Sequence, residues 1–215
     1  MLQETLPPGF PLVLVDRQVS GYVASSVLVD NCGAAYQAVE HLISIGHRRI
    51  ACVTHDGYVS SVDERQRGYE QAMNAAGLAP IPLATLVRRD PTPDGQPAPY
   101  AEHDMGPVDQ LFACSDRPTA LFCINDSIAL GVMRHIVSCG LRVPEDVAIV
   151  GFDDIPLAAF MPVPLTTVAQ PKFEIGSHAA QLLLDKISGR EPATHAVVLP
   201  TALSLRTSTN RNGAG

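Results

Sequence analysis

The chain has 215 residues, 46% of them hydrophobic, no tryptophan and a formal net charge of −7. That length can bury a sizeable core in one or two domains, and the composition excludes a disordered or collagen-like chain. The negative charge argues against a bare nucleic-acid-binding domain, which is usually basic. No apolar run approaches the roughly 20 residues of a membrane-spanning helix. Met1–Pro8 lacks the basic start and apolar centre of a signal peptide. The reading is a soluble, cytoplasmic chain with no membrane partner.

The predicted elements alternate along the chain. Leu12–Val15 is a short apolar run ending at Asp16. A helix follows over 33–45, with Val39, Leu42 and Ile43 at helical spacing and Gly46 as its stop. Ile50–Thr54 reads as a buried strand, and 62–76 as a helix with Tyr69, Ala72, Met73 and Ala76 on one face before Gly77. Leu83–Val87 is a weaker strand, and Val108, Leu111 and Phe112 suggest a short helix. Ala120–Ile124 is a strand, Ile128–Val137 a helix stopped by Gly140, and Val147–Gly151 a further strand. A last helix spans 173–187 before Gly189, and Val197–Leu199 is a final extended run. Asp90–Pro99, with four prolines and a glycine, reads as a long surface loop. The tail from Thr207 reads as frayed.

Strands apolar on both faces and separated by helices define an α/β fold with parallel sheets. In such sheets ligands bind where the loops after the strands converge. Those positions hold Asp16 and Arg17, His55 and Asp56 with Arg65 early in the next helix, Asn125 and Asp126, then Asp153 and Asp154. Carboxylates, amides and a guanidinium fork suit a sugar, another polyhydroxylated molecule or a nucleobase. Each position also has a structural reading. Asn125 or Asp126 suits the N-cap of the helix that follows, Asp153-Asp154 a solvated turn, and Arg65 a surface ion pair.

No nucleophile elbow, P-loop or dinucleotide fingerprint is present, so no enzymatic activity and no cofactor are expected. The five cysteines, at 32, 52, 114, 123 and 139, form no Cys-x-x-Cys pair. They read as reduced, buried thiols. The seven histidines make no metal-binding spacing.

One ordered series of motifs is more specific than any single position. It runs from Asp30-Asn31-Cys32-Gly33-Ala34 through Ile45-Gly46-His47-Arg48-Arg49-Ile50, Glu64-Arg65-Gln66-Arg67-Gly68-Tyr69 and Ile124-Asn125-Asp126. It continues through Val143-Pro144-Glu145-Asp146-Val147-Ala148-Ile149-Val150-Gly151-Phe152-Asp153-Asp154 to Leu165-Thr166-Thr167-Val168-Ala169-Gln170-Pro171. From about Phe10 to Arg206 the chain resembles the effector-binding core of LacI/GalR-family transcriptional regulators.

The resemblance implies a periplasmic-binding-protein-like fold, two Rossmann-like lobes joined by three crossings, with a ligand cleft between them. Residues 1–29 and 170–192 would form a remnant of the N-terminal lobe. Residues 30–169 and 193–208 would form the C-terminal lobe, and 209–215 a disordered tail. It carries ligand contacts onto Arg65, Asn125 and Asp153, with Asp16, Arg17 and Ser61 as further candidates. No metal is implied. The implied partners are a small-molecule effector (sugar, sugar phosphate or purine), a second copy in a homodimer, and operator DNA through a helix-turn-helix headpiece that these residues do not contain. The chain therefore reads as N-terminally truncated, with apolar faces of the 173–187 helix left without cover. The alternative is a periplasmic sugar-binding receptor of a transport system.

Overall fold

The computed structural model describes residues 7, 10–19, 24–57, 59–87, 103–190 and 196–210. In chain order the elements are β1 (Val13–Val15), β2 (Ser25–Val29), α1 (Asn31–Ser44), β3 (Ile50–His55), α2 (Ser60–Ala75), β4 (Ala84–Leu86), α3 (Gly106–Ala113), β5 (Ala120–Cys123), α4 (Asp126–Ser138), β6 (Ala148–Asp153), α5 (Pro156–Phe160), β7 (Thr166–Ala169), α6 (Lys172–Ile187), β8 (Ala196–Leu199) and β9 (Ala202–Ser204). A 3₁₀ turn over Thr207–Thr209 closes the described chain.

The strands form two sheets. The larger has the order β4-β3-β5-β6-β7-β9, parallel except for the antiparallel pair β7–β9. β5 is buried along its whole length and β3 everywhere but at His55. Central strands covered on both faces must be apolar throughout, which is why these runs stand out in the sequence. The smaller sheet is parallel, in the order β1-β2-β8. Val27 and Val29 of this sheet pack with Ile175 and Leu182 of α6. The molecule thus has the α/β, two-lobed periplasmic-binding-protein-like architecture.

Local signals set the helix ends. Asp30 begins α1 by accepting the Gly33 N–H at 2.8 Å. Gly46 ends it at φ +100°, a left-handed turn that a side chain would strain. Tyr69 then ties α2 to the large sheet. Its buried hydroxyl donates to the Ile50 carbonyl at 2.9 Å and accepts the Ile81 N–H at 2.9 Å.

The chain passes between the sheets three times, at Asp30, at Gln170-Pro171 and at Pro200-Thr201. Among the described residues, Phe173, Leu184 and Ile187 of α6 are 84%, 55% and 63% exposed, and Val198 of β8 is 60% exposed. Several large apolar side chains of α6 and β8 are therefore open to solvent.

Several expectations need correction. Residues 196–199 were expected with the 30–169 segment. They instead extend the small sheet as β8, since Ser26–Val29 pairs with them in parallel register; only β9, three residues on, joins the large sheet. The tail is not frayed at 207–210. Ser208 is fully buried, its Oγ donating to the Ile149 carbonyl at 2.6 Å and accepting the Thr166 N–H at 2.8 Å. Three strands, β2, β7 and β9, and the short α5 were not anticipated. Cys52 and Cys123 are buried, but Cys114 and Cys139 are exposed. The proline-rich run over 90–99 and the end of the chain over 211–215 lie outside the described residues.

Candidate functional site

The site centres on Arg65. It is not a surface ion pair, being only 4% exposed. A guanidinium out of water costs several kcal/mol unless its donors and charge are met. Here Nε donates to Asn31 Oδ1 at 2.8 Å and Nη1 to the Ile124 carbonyl at 2.7 Å. Nη1 also lies 3.3 Å from Asp153 Oδ1, and Nη2 lies 3.8 Å from Asp16 Oδ1. The Phe152 ring covers the guanidinium carbon at 3.7 Å from its centroid, a cation–π contact. Burial pulls the Arg65 pKa down, and the charges of Asp153 and then Asp16 pull it back.

The partners arrive from three places. Asp16 follows β1 of the small sheet, Asp153 ends β6 of the large one, and Asn31 opens α1 just past the first crossing. Gln170, at the second crossing, donates to Asp153 Oδ1 at 2.7 Å. Two of the three crossings therefore plug directly into the Arg65–Asp153 pair. Burial raises the carboxyl pKa of both Asp16 and Asp153, with Arg65 opposing it in each case.

Asp16, Asp153 and Asp154 all have positive φ, at 60°, 110° and 48°. Non-glycine residues hold such conformations only where their surroundings enforce them, and they cluster at functional sites. Asp154 is fixed by Arg206, whose Nη2 donates to its Oδ1 at 2.7 Å, and by Lys172 Nζ on its carbonyl at 2.9 Å. Asp16 Oδ1 is buried with no hydrogen bond. An acceptor left so costs about 1–3 kcal/mol, which a donated ligand hydroxyl would recover.

Three further residues named from the sequence have separate local roles. Asn125 caps α4, its side-chain oxygen accepting the Ile128 N–H at 2.8 Å, so the structural reading of that oxygen holds. Ser61 is buried one helical turn before Arg65. Arg17 is exposed and touches the site through its charge, which lowers the Asp16 pKa. Its neighbour Gln18 donates its N–H to Ser60 Oγ at 2.8 Å, a second bridge from the small lobe to α2. Neither Asn31, Phe152 nor Gln170 was singled out from the sequence, although all three lie in the quoted motifs.

Asp126 was read as a possible cap and does something else. It is fully buried. Its Oδ1 accepts the Thr167 hydroxyl at 2.6 Å and its Oδ2 the Ile155 N–H at 2.8 Å, tying α4 to β7 and to the start of α5. A helix N-terminus favours a carboxylate by at most about 2 kcal/mol. Desolvation outweighs it, and the pKa is raised from 3.8 to about 6. The folded value exceeds the unfolded one, so this stabilisation is complete below about pH 3.8 and is lost as pH rises through 6. Across that window it is worth on the order of 3 kcal/mol. We expect Asp126→Asn to flatten the fall in unfolding free energy between pH 4 and pH 7 by about that amount. Urea melts at the two pH values give the slopes, and equal slopes in variant and wild type would refute the raised pKa.

The sheet topology defines a two-lobed α/β core with an arginine held between two strand-end aspartates. The family model described as periplasmic binding protein-like domain matches residues 39–209. The chain belongs to this family and, within it, to the LacI family of regulators. It is 35% identical over 207 residues to the HTH-type transcriptional repressor CytR of Escherichia coli K12, covering 96% of this chain and 57% of the repressor. The chain thus spans a little over half the length of that curated relative. Among solved structures, a regulatory protein of LacI family from Chloroflexus aggregans superposes with a TM-score of 0.79 at 32% identity, over 96% of this chain and 71% of that one. A LacI family transcriptional regulator from Enterococcus faecium with bound ribose gives 0.79 at 29% identity, over 93% and 70%.

Proposed function

We propose that the chain is the effector-sensing and dimerisation core of a LacI/GalR-type transcriptional regulator, binding a small sugar-like molecule between its lobes. The observation that carries this is Arg65, a buried cation held by Asp153 of one lobe and facing Asp16 of the other. A vicinal diol placed there donates to Asp16 and Asp153 and accepts from the guanidinium, the directional pattern that such groups read well. Asn125, Ser61 and Arg17 complete the proposed contact set. The bound ribose of the Enterococcus faecium regulator supports a monosaccharide or nucleoside over a purely apolar effector.

Binding changes the relative population of two lobe angles only insofar as the ligand prefers one of them. Operator DNA is contacted, in this proposal, by a headpiece outside these 215 residues, of the helix-turn-helix kind recorded in the CytR name. The effector is bound and released unchanged, not turned over. No helix among the described residues is long and apolar enough to cross a membrane.

The test is a thermal-shift and calorimetric screen of ribose, other sugars and nucleosides. One class is expected to raise the melting temperature, and Asp153→Ala to weaken its binding by about tenfold or more, since a hydrogen bond to a charged group is worth about 1.5–3 kcal/mol. An unchanged dissociation constant in a folded variant would remove Asp153 from the site.

A further inference from the structure

A second group of chemically apt side chains lies away from the cleft. Asp109 on α3, His135 on α4 and Cys139, the residue that caps the C-terminus of α4, bring a carboxylate oxygen, an imidazole nitrogen and a thiol sulfur within 4.8 Å of one another. We propose that this trio is a surface site for a divalent cation of borderline softness, with zinc the ion that fits its donors.

The arrangement follows from the helices. His135 and Cys139 are four residues apart, one turn of helix, so both point the same way. Asp109 reaches them from α3. His135 Nε2 lies 2.6 Å from Asp109 Oδ1 and 3.8 Å from Cys139 Sγ. Zinc holds thiolate sulfur at about 2.3 Å and imidazole nitrogen or carboxylate oxygen at about 2.0–2.2 Å, so its tetrahedral ligand atoms sit about 3.3–3.6 Å apart. The observed separations bracket that range and need only side-chain adjustments to meet it.

A mixed sulfur, nitrogen and oxygen set selects against calcium and magnesium, which take oxygen ligands. Three protein ligands leave a fourth position for water. On binding, the Cys139 thiol gives its proton to solvent and a metal–sulfur bond forms. The ion staples α3 to the far end of α4, the helix whose N-terminus carries Asn125 and Asp126.

The experiment uses the 215-residue chain, kept reduced by a phosphine that does not bind the metal. Zinc chloride is titrated by calorimetry, and cobalt(II) is added separately to read its absorption. The expected result is one saturable equivalent of zinc, a raised melting temperature, and a thiolate-to-cobalt charge-transfer band. His135→Ala, at a half-buried position, and Cys139→Ser, at an exposed one, should each weaken binding by about tenfold or more while keeping the wild-type circular dichroism. Cys114→Ser, which removes the other exposed thiol, should leave it intact. Absence of saturable binding, absence of the charge-transfer band, unchanged affinity in His135→Ala, or equal loss in Cys114→Ser would each overturn the proposal.

Discussion

Replacing Arg65 with methionine is expected to lower stability at neutral pH by about 3 kcal/mol, the lower end of the cost of breaking a buried ion pair, since Asp153 is half-buried and keeps the weaker field of Lys172. Methionine matches much of the side-chain volume, so the loss reports charge and hydrogen bonds more than packing. Asn31 Oδ1 and the Ile124 carbonyl lose their donor together, while Asp153 loses its ion-pair partner and keeps only the Gln170 hydrogen bond. The pH dependence separates this account from simple cavity formation. In the wild type Asp153 already has a raised pKa, with Arg65 opposing the rise. Without Arg65 the value climbs further, so the penalty grows as pH rises above the unfolded carboxyl value and shrinks on acidification. Urea melts of both proteins from pH 7 down to about 4.5 should therefore converge. A gap constant with pH would assign the loss to packing instead. Effector binding should vanish in the same variant at every pH where it folds.

Gly68→Ala is the second large effect, and it acts from the same face of the helix, one turn on from Arg65. A Cβ there would overlap the Cys32 carbonyl oxygen and lie 2.8 Å from Ala35 Cβ and 2.9 Å from the Tyr36 nitrogen. Two of those atoms are backbone, so no side chain can swing aside and α1 and α2 must separate. Overpacking of this kind costs about 1–3 kcal/mol, occasionally more, and the rigid neighbours place this site at the upper end. The gain in helix propensity from glycine to alanine is about 1 kcal/mol and offsets only part of it. Separation would also draw Arg65 on α2 away from Asn31 on α1, so effector affinity should fall with stability. A change within about 0.5 kcal/mol, as at an unconstrained surface position, would show that the helices are not in close contact.

How much of this was legible in the sequence depends on what each residue does with its polarity. β3, β5 and β6 were readable because burial on both faces demands unbroken apolar runs. β7 was hidden because its buried positions include Thr166 and Thr167, whose hydroxyls are satisfied by the Arg206 carbonyl and by Asp126. β2 was hidden likewise by Ser25 and Ser26, both buried. β8 was visible as a strand but went to the wrong sheet, since a short parallel run carries no local mark of its partner. At the site, strand-end chemistry picked out Asp16, Arg65 and Asp153 correctly as neighbours. Asn31 and Gln170 were invisible in role because their partners are 34 and 17 residues away. The Asp109–His135 contact spans 26 residues, and only a folded helix pair reveals it.

The two crossings that end in Asn31 and Gln170 have a thermodynamic meaning. Both are anchored to the large lobe through Arg65 and Asp153, whereas Asp16 of the small lobe stands 3.8 Å from the guanidinium and makes no hydrogen bond through Oδ1. In the proposed sensor the cation and its anchors are the fixed post, and the small lobe, tied to α2 at Gln18, is the part whose angle the ligand sets. A ligand that completes the unfilled bond to Asp16 is held by both lobes in the near position and by one lobe in the far position. Each tenfold difference between those affinities moves the balance of lobe angles by about 1.4 kcal/mol. Effector strength, on this view, is set by how well a molecule fills that one gap and not by how tightly it grips Arg65, so two sugars of equal affinity can differ completely in what they switch.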